Sequence, residues 1–140
     1  MVSASFEEKS VWIQLVATVV ALAAYAVIAA SMYARGVELL SAYSGVLWAA
    51  VVVMIVILVV GHILAAATGE QEKRDERDRA ISWRSESNSA WVLGVGVLAA
   101  LACMVGSMPE LLTAHVLLAS LFASQLMYYG FQILYYRRGM

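Results

Sequence analysis

Most of the side chains that could do chemistry in this chain are amides, hydroxyls and imidazoles that interrupt long apolar stretches. Seven of them are expected at a similar depth in one half of a helical bundle: Gln14, Thr18, His62, Gln125, Tyr128, Tyr129 and Gln132. The last four recur at helical spacing, so they share one face of a helix. Polar groups in lipid usually face a bundle interior or a water-filled cavity. These residues are therefore candidates for an intramembrane pocket, or for hydrogen bonds that hold helices together.

No catalytic centre, cofactor site or metal site is indicated by the remaining polar residues. His62 and His115 are expected near opposite membrane faces, whereas a metal site needs three or four converging ligands. Cys103 is the only cysteine, so it can form neither an intramolecular disulfide nor a thiolate cluster. No Asp, Glu, Lys or Arg falls well inside an apolar stretch, which argues against an ion-coupled transporter. The sequence predicts a protein that is not an enzyme.

Four apolar stretches must position these groups, and they cover residues 11–34, 39–67, 90–108 and 111–136. Hydrophobic residues make up 63% of the 140 residues and charged residues 14%, which is too apolar for a soluble domain. Each stretch reaches or nearly reaches the roughly 20 residues that a membrane-spanning helix needs. Because lipid offers no hydrogen-bond partners to the backbone, the spans are expected to be helical. The prediction is a single all-α domain, an antiparallel up-down-up-down bundle of four transmembrane helices.

The basic residues predict how this bundle is oriented. With four spans, the two termini and the loop 68–89 share one side, which holds eight basic residues: Lys9, Lys73, Arg74, Arg77, Arg79, Arg84, Arg137 and Arg138. Only Arg35 is expected on the other side. Because short loops rich in Lys and Arg stay in the cytoplasm, both termini are predicted to be cytoplasmic. The formal net charge of −1 argues against a nucleic acid partner, so the bilayer is the expected environment.

The loop 68–89 is the most distinctive polar segment. Its charges alternate in sign, and helical spacing would pair Arg74 with Asp78 and Asp75 with Arg79. It can therefore extend the second or the third span as a solvated helix. One interpretation is a surface elbow that keeps two helices soluble at the interface. The other is a docking surface for a cytoplasmic protein, formed by Asp75, Glu76, Arg77, Asp78, Arg79 and Arg84.

The same segment resembles a known family. Asp75-Glu76-Arg77-Asp78-Arg79, followed by Ile81 and by Arg84-Ser85, is similar to the Asp-Glu-Arg-Asp loop signature of a family of small, uncharacterised prokaryotic four-helix membrane proteins. The resemblance covers the loop in detail and the order of the four spans in outline. It implies a prokaryotic inner-membrane protein with a regulatory context, and it implies no reaction, cofactor or substrate.

Small residues at helical spacing indicate where helices approach closely. Such pairs occur on the first and third spans, in three groups: Ala26, Ala30 and Ala34; Ala90 and Gly94; Gly96 and Ala100. These faces are expected to meet other helices, of the same chain or of a second copy, so homo-oligomerisation stays open. The first functional hypothesis is a sensory or regulatory membrane module that presents the charged loop to a partner. The alternative is a small oligomeric channel or transporter for a neutral or hydrophobic solute.

Overall fold

The computed structural model describes residues 6–68 and 75–138, and it confirms the predicted all-α fold. These residues form four α-helices in this order: α1, Phe6–Ala34; α2, Ser44–Thr68; α3, Glu76–Val105; and α4, Glu110–Arg138. A short 3-10 helix, Leu40–Tyr43, precedes α2. All four spans are long and apolar enough to cross a membrane, which fits a multi-pass membrane protein. At about 1.5 Å per residue, the 30-residue α3 is about 45 Å long and exceeds the ~30 Å hydrocarbon core.

Two turns of the same type end α1 and α3. After α1, the Val37 amide donates to the Met32 carbonyl and the Gly36 amide to the Tyr33 carbonyl, with Gly36 at a φ of 79°. This is a Schellman motif, in which glycine avoids a side-chain clash at positive φ. The turn after α3 repeats both bonds around Ser107, whose φ is 53°. The chain therefore reverses sharply twice at one end of the molecule, which we call the hairpin end.

The other end, which we call the basic end, holds the start of α1 and α3 and the end of α2 and α4. There the Arg137 guanidinium lies 5.6 Å from the centre of the Trp12 ring. The Tyr136 hydroxyl donates to Asp78 Oδ1 at 3.0 Å. Both contacts join helices that run in opposite directions, so they agree with the predicted antiparallel connectivity.

The helices form a row in the order α2, α1, α4, α3. α1 packs against α2 and α4, and α4 packs against α1 and α3, whereas α2 and α3 form no packed pair in the described part of the chain. The helices α3 and α4 approach each other closely. A side chain at Gly96 would collide with Ser120, and the Ser124 hydroxyl donates to the Ser89 carbonyl at 3.1 Å. Small residues therefore let these two backbones approach, as expected for membrane helices.

Of the three small-residue groups, Gly96 and Ala100 are buried against a neighbouring helix. Ala90 and Gly94 lie on the exposed side of α3. Ala26, Ala30 and Ala34 are exposed as well, because α1 buries a different face, with Ala17, Ala21, Tyr25 and Ala29 at its centre. That face also carries the hydroxyls of Ser10 and Thr18, which are 8% and 5% exposed. Hydroxyls gain more from protein partners than from lipid, so they favour its burial.

Candidate functional site

The predicted polar residues of the basic half lie at three helix interfaces. Between α1 and α2, the His62 imidazole lies against Ser10, with Nε2 to Oγ at 2.9 Å, and its Nδ1 lies 2.7 Å from the Leu58 carbonyl. Since a carbonyl only accepts, Nδ1 carries the proton and Nε2 accepts from the Ser10 hydroxyl. The Gln14 amide also donates to Ser10 Oγ at 3.1 Å. This polar group is compact and internally satisfied.

The other two interfaces involve α4. The Thr18 hydroxyl donates to the Gln14 carbonyl at 2.8 Å, and the Thr18 side chain also interacts with the Tyr129 hydroxyl. Between α3 and α4, Ser82 Oγ lies 2.9 Å from the Tyr128 hydroxyl and accepts from the Gln132 amide at 3.5 Å. Hydrogen bonds such as these agree with the second interpretation of the polar residues, in which they hold helices together.

Gln125 stands apart from the other predicted pocket residues. Its side chain is exposed on α4, one turn from the exposed Leu121. The structure therefore does not bring Gln125 together with His62 or Gln14. A pocket shared by all seven residues stays a prediction. Five of them, Thr18, His62, Tyr128, Tyr129 and Gln132, form hydrogen bonds between helices, whereas Gln14 bonds to Ser10 within α1.

The charged residues 75–84, which belong to the predicted loop 68–89, form the start of α3. We call them the charged segment. Asp75 caps the helix: its carboxylate accepts from the Glu76 amide at 2.6 Å, and Asp78 Oδ2 accepts from the Asp75 amide at 3.1 Å. This reciprocal capping box satisfies amides that a helix start leaves without partners. Of the two extensions that the charge pattern allowed, the structure has that of the third span. Arg74 lies outside the described residues.

Five of the six candidate docking residues are exposed, and Asp78 is half-buried. The carboxylates of Asp75 and Asp78 are bonded within the chain, and Asp78 also accepts the Tyr136 hydroxyl. Asp75 is nevertheless exposed at the surface, as are Glu76, Arg77, Arg79 and Arg84. The Asp-x-x-Asp spacing therefore has a structural role here, and the exposed members are the ones that a cytoplasmic partner could contact.

A second histidine, which the sequence did not connect to any other residue, organises the hairpin end. His115 on α4 has Nδ1 2.8 Å from the Leu111 carbonyl and Nε2 3.1 Å from the Tyr25 hydroxyl. The Tyr43 ring meets the imidazole edge-on at 5.4 Å, and its hydroxyl donates to the Val37 carbonyl at 2.7 Å. Tyr25 and Tyr43 are buried. Thus α1, α4 and the 3-10 helix meet at one aromatic and polar cluster.

Beside this cluster lies a cavity of about 810 Å³ between α1, α4 and the 3-10 helix. Its walls are mainly apolar and include Leu22, Ala26, Ala30, Leu118, Ala119 and Phe122. Tyr25, Tyr43 and His115 supply polar groups to its lining, and Glu38 and Glu110 line it towards the hairpin end. The volume lies within the range of about 300–1,000 Å³ that is usual for small-molecule sites. Apolar walls with a few convergent polar groups are also typical of such sites.

The sequence did contain signals for this cavity, but each had a simpler interpretation. Ala26 and Ala30 belong to a small-residue group that was expected to pack on another helix, whereas in the chain they border open space. His115 was separated from His62 by depth, and that separation is what the structure shows. Tyr25 and Tyr43 were not recognised, because nothing local in the sequence indicates that a 3-10 helix brings Tyr43 onto His115.

Neither the polar group around His62 nor the cluster around His115 has the composition of a metal centre, since no group of three or more His, Cys, Asp or Glu converges among the described residues. Comparisons with models of known families, with curated proteins and with solved structures found no match for this chain. The resemblance of the Asp75–Arg79 segment to the prokaryotic four-helix family therefore stays a prediction. The geometry of the cavity is the main guide to function.

Proposed function

We propose that this protein is a non-enzymatic, sensory membrane module that binds an amphipathic small molecule in the cavity at its hairpin end. The observation that carries the proposal is a cavity of about 810 Å³ with apolar walls and a polar cluster of Tyr25, Tyr43 and His115. Apolar walls favour the tail of a ligand, because an apolar group that covers them removes apolar surface from water. The polar cluster gives the other end of the ligand a fixed set of hydrogen-bonding and aromatic contacts.

The sensory part of the proposal rests on α4, which reaches from the cavity to the charged start of α3. Leu111 to Phe122 contribute to the cavity wall, and Tyr136 near the other end of the same helix donates to Asp78. A ligand that separates α1 from α4 would shift this helix and the exposed Glu76, Arg77, Arg79 and Arg84 with it. Those side chains would present the changed surface to a cytoplasmic protein.

The setting of this module is part of the proposal. We place it in a prokaryotic inner membrane with both termini in the cytoplasm, because the basic end gathers Lys9, Arg77, Arg84, Arg137 and Arg138. The large apolar side chains exposed on α2, such as Trp48, Val52 and Val56, would face lipid or a second copy of the chain. Nucleic acid is not a proposed partner.

Photo-crosslinking in lipid nanodiscs tests the binding function. An alkyl probe that carries a diazirine should label residues of the cavity wall well above the lipid-facing surface of α2, as mapped by mass spectrometry. Ala119→Phe fills the cavity and should abolish the preferential labelling. Ala99→Phe adds the same side chain to an exposed position on α3 and should leave labelling unchanged. Uniform labelling over all exposed apolar faces, unaffected by Ala119→Phe, would mean that the cavity is only a lipid-filled groove.

A labelling rate at Ala80→Cys tests the sensory function, because Ala80 is exposed beside Arg77 and Arg84. Probe binding should change this rate, and Tyr136→Phe, which removes the bond to Asp78, should weaken the change without preventing probe binding. Transport of a hydrophobic solute is the second candidate, favoured by the mainly apolar lining of the cavity. Probe flux through proteoliposomes, with no effect of the probe at Ala80→Cys, would support transport over sensing.

A further inference from the structure

We propose that the cavity selects amphipathic organic cations, with the cationic head group at Glu38 and Glu110 and the apolar tail directed towards Phe122. This inference rests on the proposed binding function and adds the chemical class of the ligand. It follows from which charges line the cavity, which aromatic rings accompany them, and how far the apolar wall extends.

The charges at this end of the cavity are all negative. Glu38 and Glu110 line it, and no Lys or Arg does so among the described residues. Arg35 is the nearest cation in sequence, but its Nε donates to the Ser31 carbonyl at 3.0 Å and one of its terminal nitrogens to Ser31 Oγ at 3.1 Å. Helical spacing puts Ser31 on the side of α1 away from Ala26. Arg35 is therefore held away from the cavity, and the two carboxylates favour a ligand of positive charge.

Aromatic rings occupy the same end. Tyr33 and Tyr43 both line the cavity, Tyr33 with 67% of its surface exposed and Tyr43 with 3%. The face of an aromatic ring attracts a cation through its quadrupole, and quaternary ammonium groups are recognised in this way. The exposed Tyr33 ring and the neighbouring carboxylates would therefore act on the same head group, whereas the buried Tyr43 packs against His115. A neutral or anionic head group would gain neither attraction.

The apolar wall extends far enough for an alkyl tail. Glu110 begins α4 and Phe122 lies twelve residues further along it, about 18 Å at ~1.5 Å per residue. Leu118, Ala119 and Phe122 line this length from α4, and Leu22 and Ala26 line it from α1. A dodecyl chain suits such a wall. The ligand would thus lie roughly parallel to α4, with its charge at the membrane surface.

Glu110 also has a structural role that the test must separate from binding. It lies in the first turn of α4, where the helix dipole favours a negative charge. Loss of that role would lower stability equally with every ligand present. A change in the ratio of affinities for cationic and neutral ligands is therefore the informative measurement.

The experiment is competition against the diazirine alkyl probe in nanodiscs by three dodecyl compounds: dodecyltrimethylammonium, dodecanol and dodecyl sulfate. After correction for partitioning into lipid, the cation should displace the probe at about tenfold lower concentration than the alcohol, as expected from two exposed carboxylates and an aromatic contact. The sulfate should be the weakest competitor. Because the carboxylates are exposed, added salt should reduce the preference for the cation.

Variants connect the preference to the two carboxylates. Glu38→Gln and Glu110→Gln should each reduce the cation-to-alcohol ratio, and the double variant should bring it close to one. Glu86→Gln removes an exposed carboxylate from α3 outside the cavity lining and should leave the ratio unchanged. Equal competition by the cation and the alcohol in the natural chain would overturn the cation inference and leave the binding function intact. No displacement by any of the three, together with labelling that ignores Ala119→Phe, would overturn both.

Discussion

Two histidines in this protein have the same hydrogen bonds and very different surroundings. His62 on α2 and His115 on α4 each place Nδ1 against the carbonyl four residues earlier and Nε2 against a hydroxyl of α1, Ser10 in one case and Tyr25 in the other. Around His62 the helices are in close contact. Around His115 they leave a cavity of about 810 Å³. In this protein the hydrogen bonds of the two histidines therefore do not distinguish them, whereas the packing around each one does.

The difference in packing comes from the sizes of the neighbouring residues. Beside His62, a side chain at Gly61 would meet Ile13 Cγ2 at 2.5 Å, so the Ile13 side chain already fills the space there. Beside His115, Ala26, Ala30 and Ala119 line the wall with methyl groups where larger side chains would fill it. Small residues bring helices together where a partner lies opposite and leave space where none does.

The largest expected effect is on the free energy of unfolding, when side-chain volume is added beside His62 and, separately, beside the cavity at His115. Gly61→Val and Ala30→Leu each add three carbon atoms. Gly61→Val should lower the free energy of unfolding in the membrane by about 1–3 kcal/mol, because overpacking forces helices or side chains to move. Ala30→Leu should change it by no more than about 0.5 kcal/mol, because its new atoms enter open space. Unfolding monitored by steric trapping measures both values.

Gly45→Val is the matched control, since it makes the same replacement on α2 where no atom lies within 4 Å of the added Cβ. It separates the effect of crowding from the general effect of replacing glycine in a helix. A cost for Ala30→Leu equal to that of Gly61→Val would mean that the cavity closes in the folded protein, and the contrast between the halves would be lost.

A smaller effect concerns the two histidine bonds themselves. A double-mutant cycle with Ser10→Ala and His62→Leu should give a coupling energy of about 0.6 kcal/mol, the average for hydrogen bonds between membrane helices. The cycle with Tyr25→Phe and His115→Leu should give a smaller value, because an open cavity lets solvent replace the lost partner. Tyr25→Phe should also weaken binding of the alkyl probe, whereas Ser10→Ala should not. A stronger coupling energy for Tyr25 and His115 than for Ser10 and His62 would contradict the contrast between close packing around His62 and an open cavity around His115.

The sequence was sufficient to predict the four helices and their antiparallel order, because the lengths of the apolar stretches and the needs of the backbone in lipid leave few alternatives. It also indicated that the charged segment could be helical, and Asp75 and Asp78 show why: their carboxylates satisfy the first amides of α3. It did not distinguish the second span from the third as the one extended. That choice depends on the capping box and on Tyr136, which is 58 residues away from Asp78.

The cavity could not be predicted, because it depends on the lateral order of the helices. Nothing in the hydrophobic pattern indicates that α1 packs on α4 while α2 and α3, over their described residues, form no packed pair. The alanines at 26, 30 and 34 were expected to meet a helix, yet α1 is rotated so that Ala21, Tyr25 and Ala29 are buried instead. Local spacing identifies which residues share a face, and only the folded chain shows which face is covered.

The most direct test asks whether solvent reaches the cavity beside His115. Single cysteines in a Cys103→Ala background are labelled with a small, membrane-impermeant thiol reagent. Ala119→Cys lies in the cavity wall, Ala24→Cys is exposed on the side of α1 outside the cavity lining, and Gln14→Cys lies in the polar group beside His62. Because the thiolate reacts and needs water to form, only a solvent-accessible position should be modified. We expect fast labelling at position 119 from outside the cell, slow labelling at 24 and 14, and protection of 119 by dodecyltrimethylammonium. Labelling at 119 that is as slow as at 24, or that occurs only from the cytoplasmic side, would contradict this expectation.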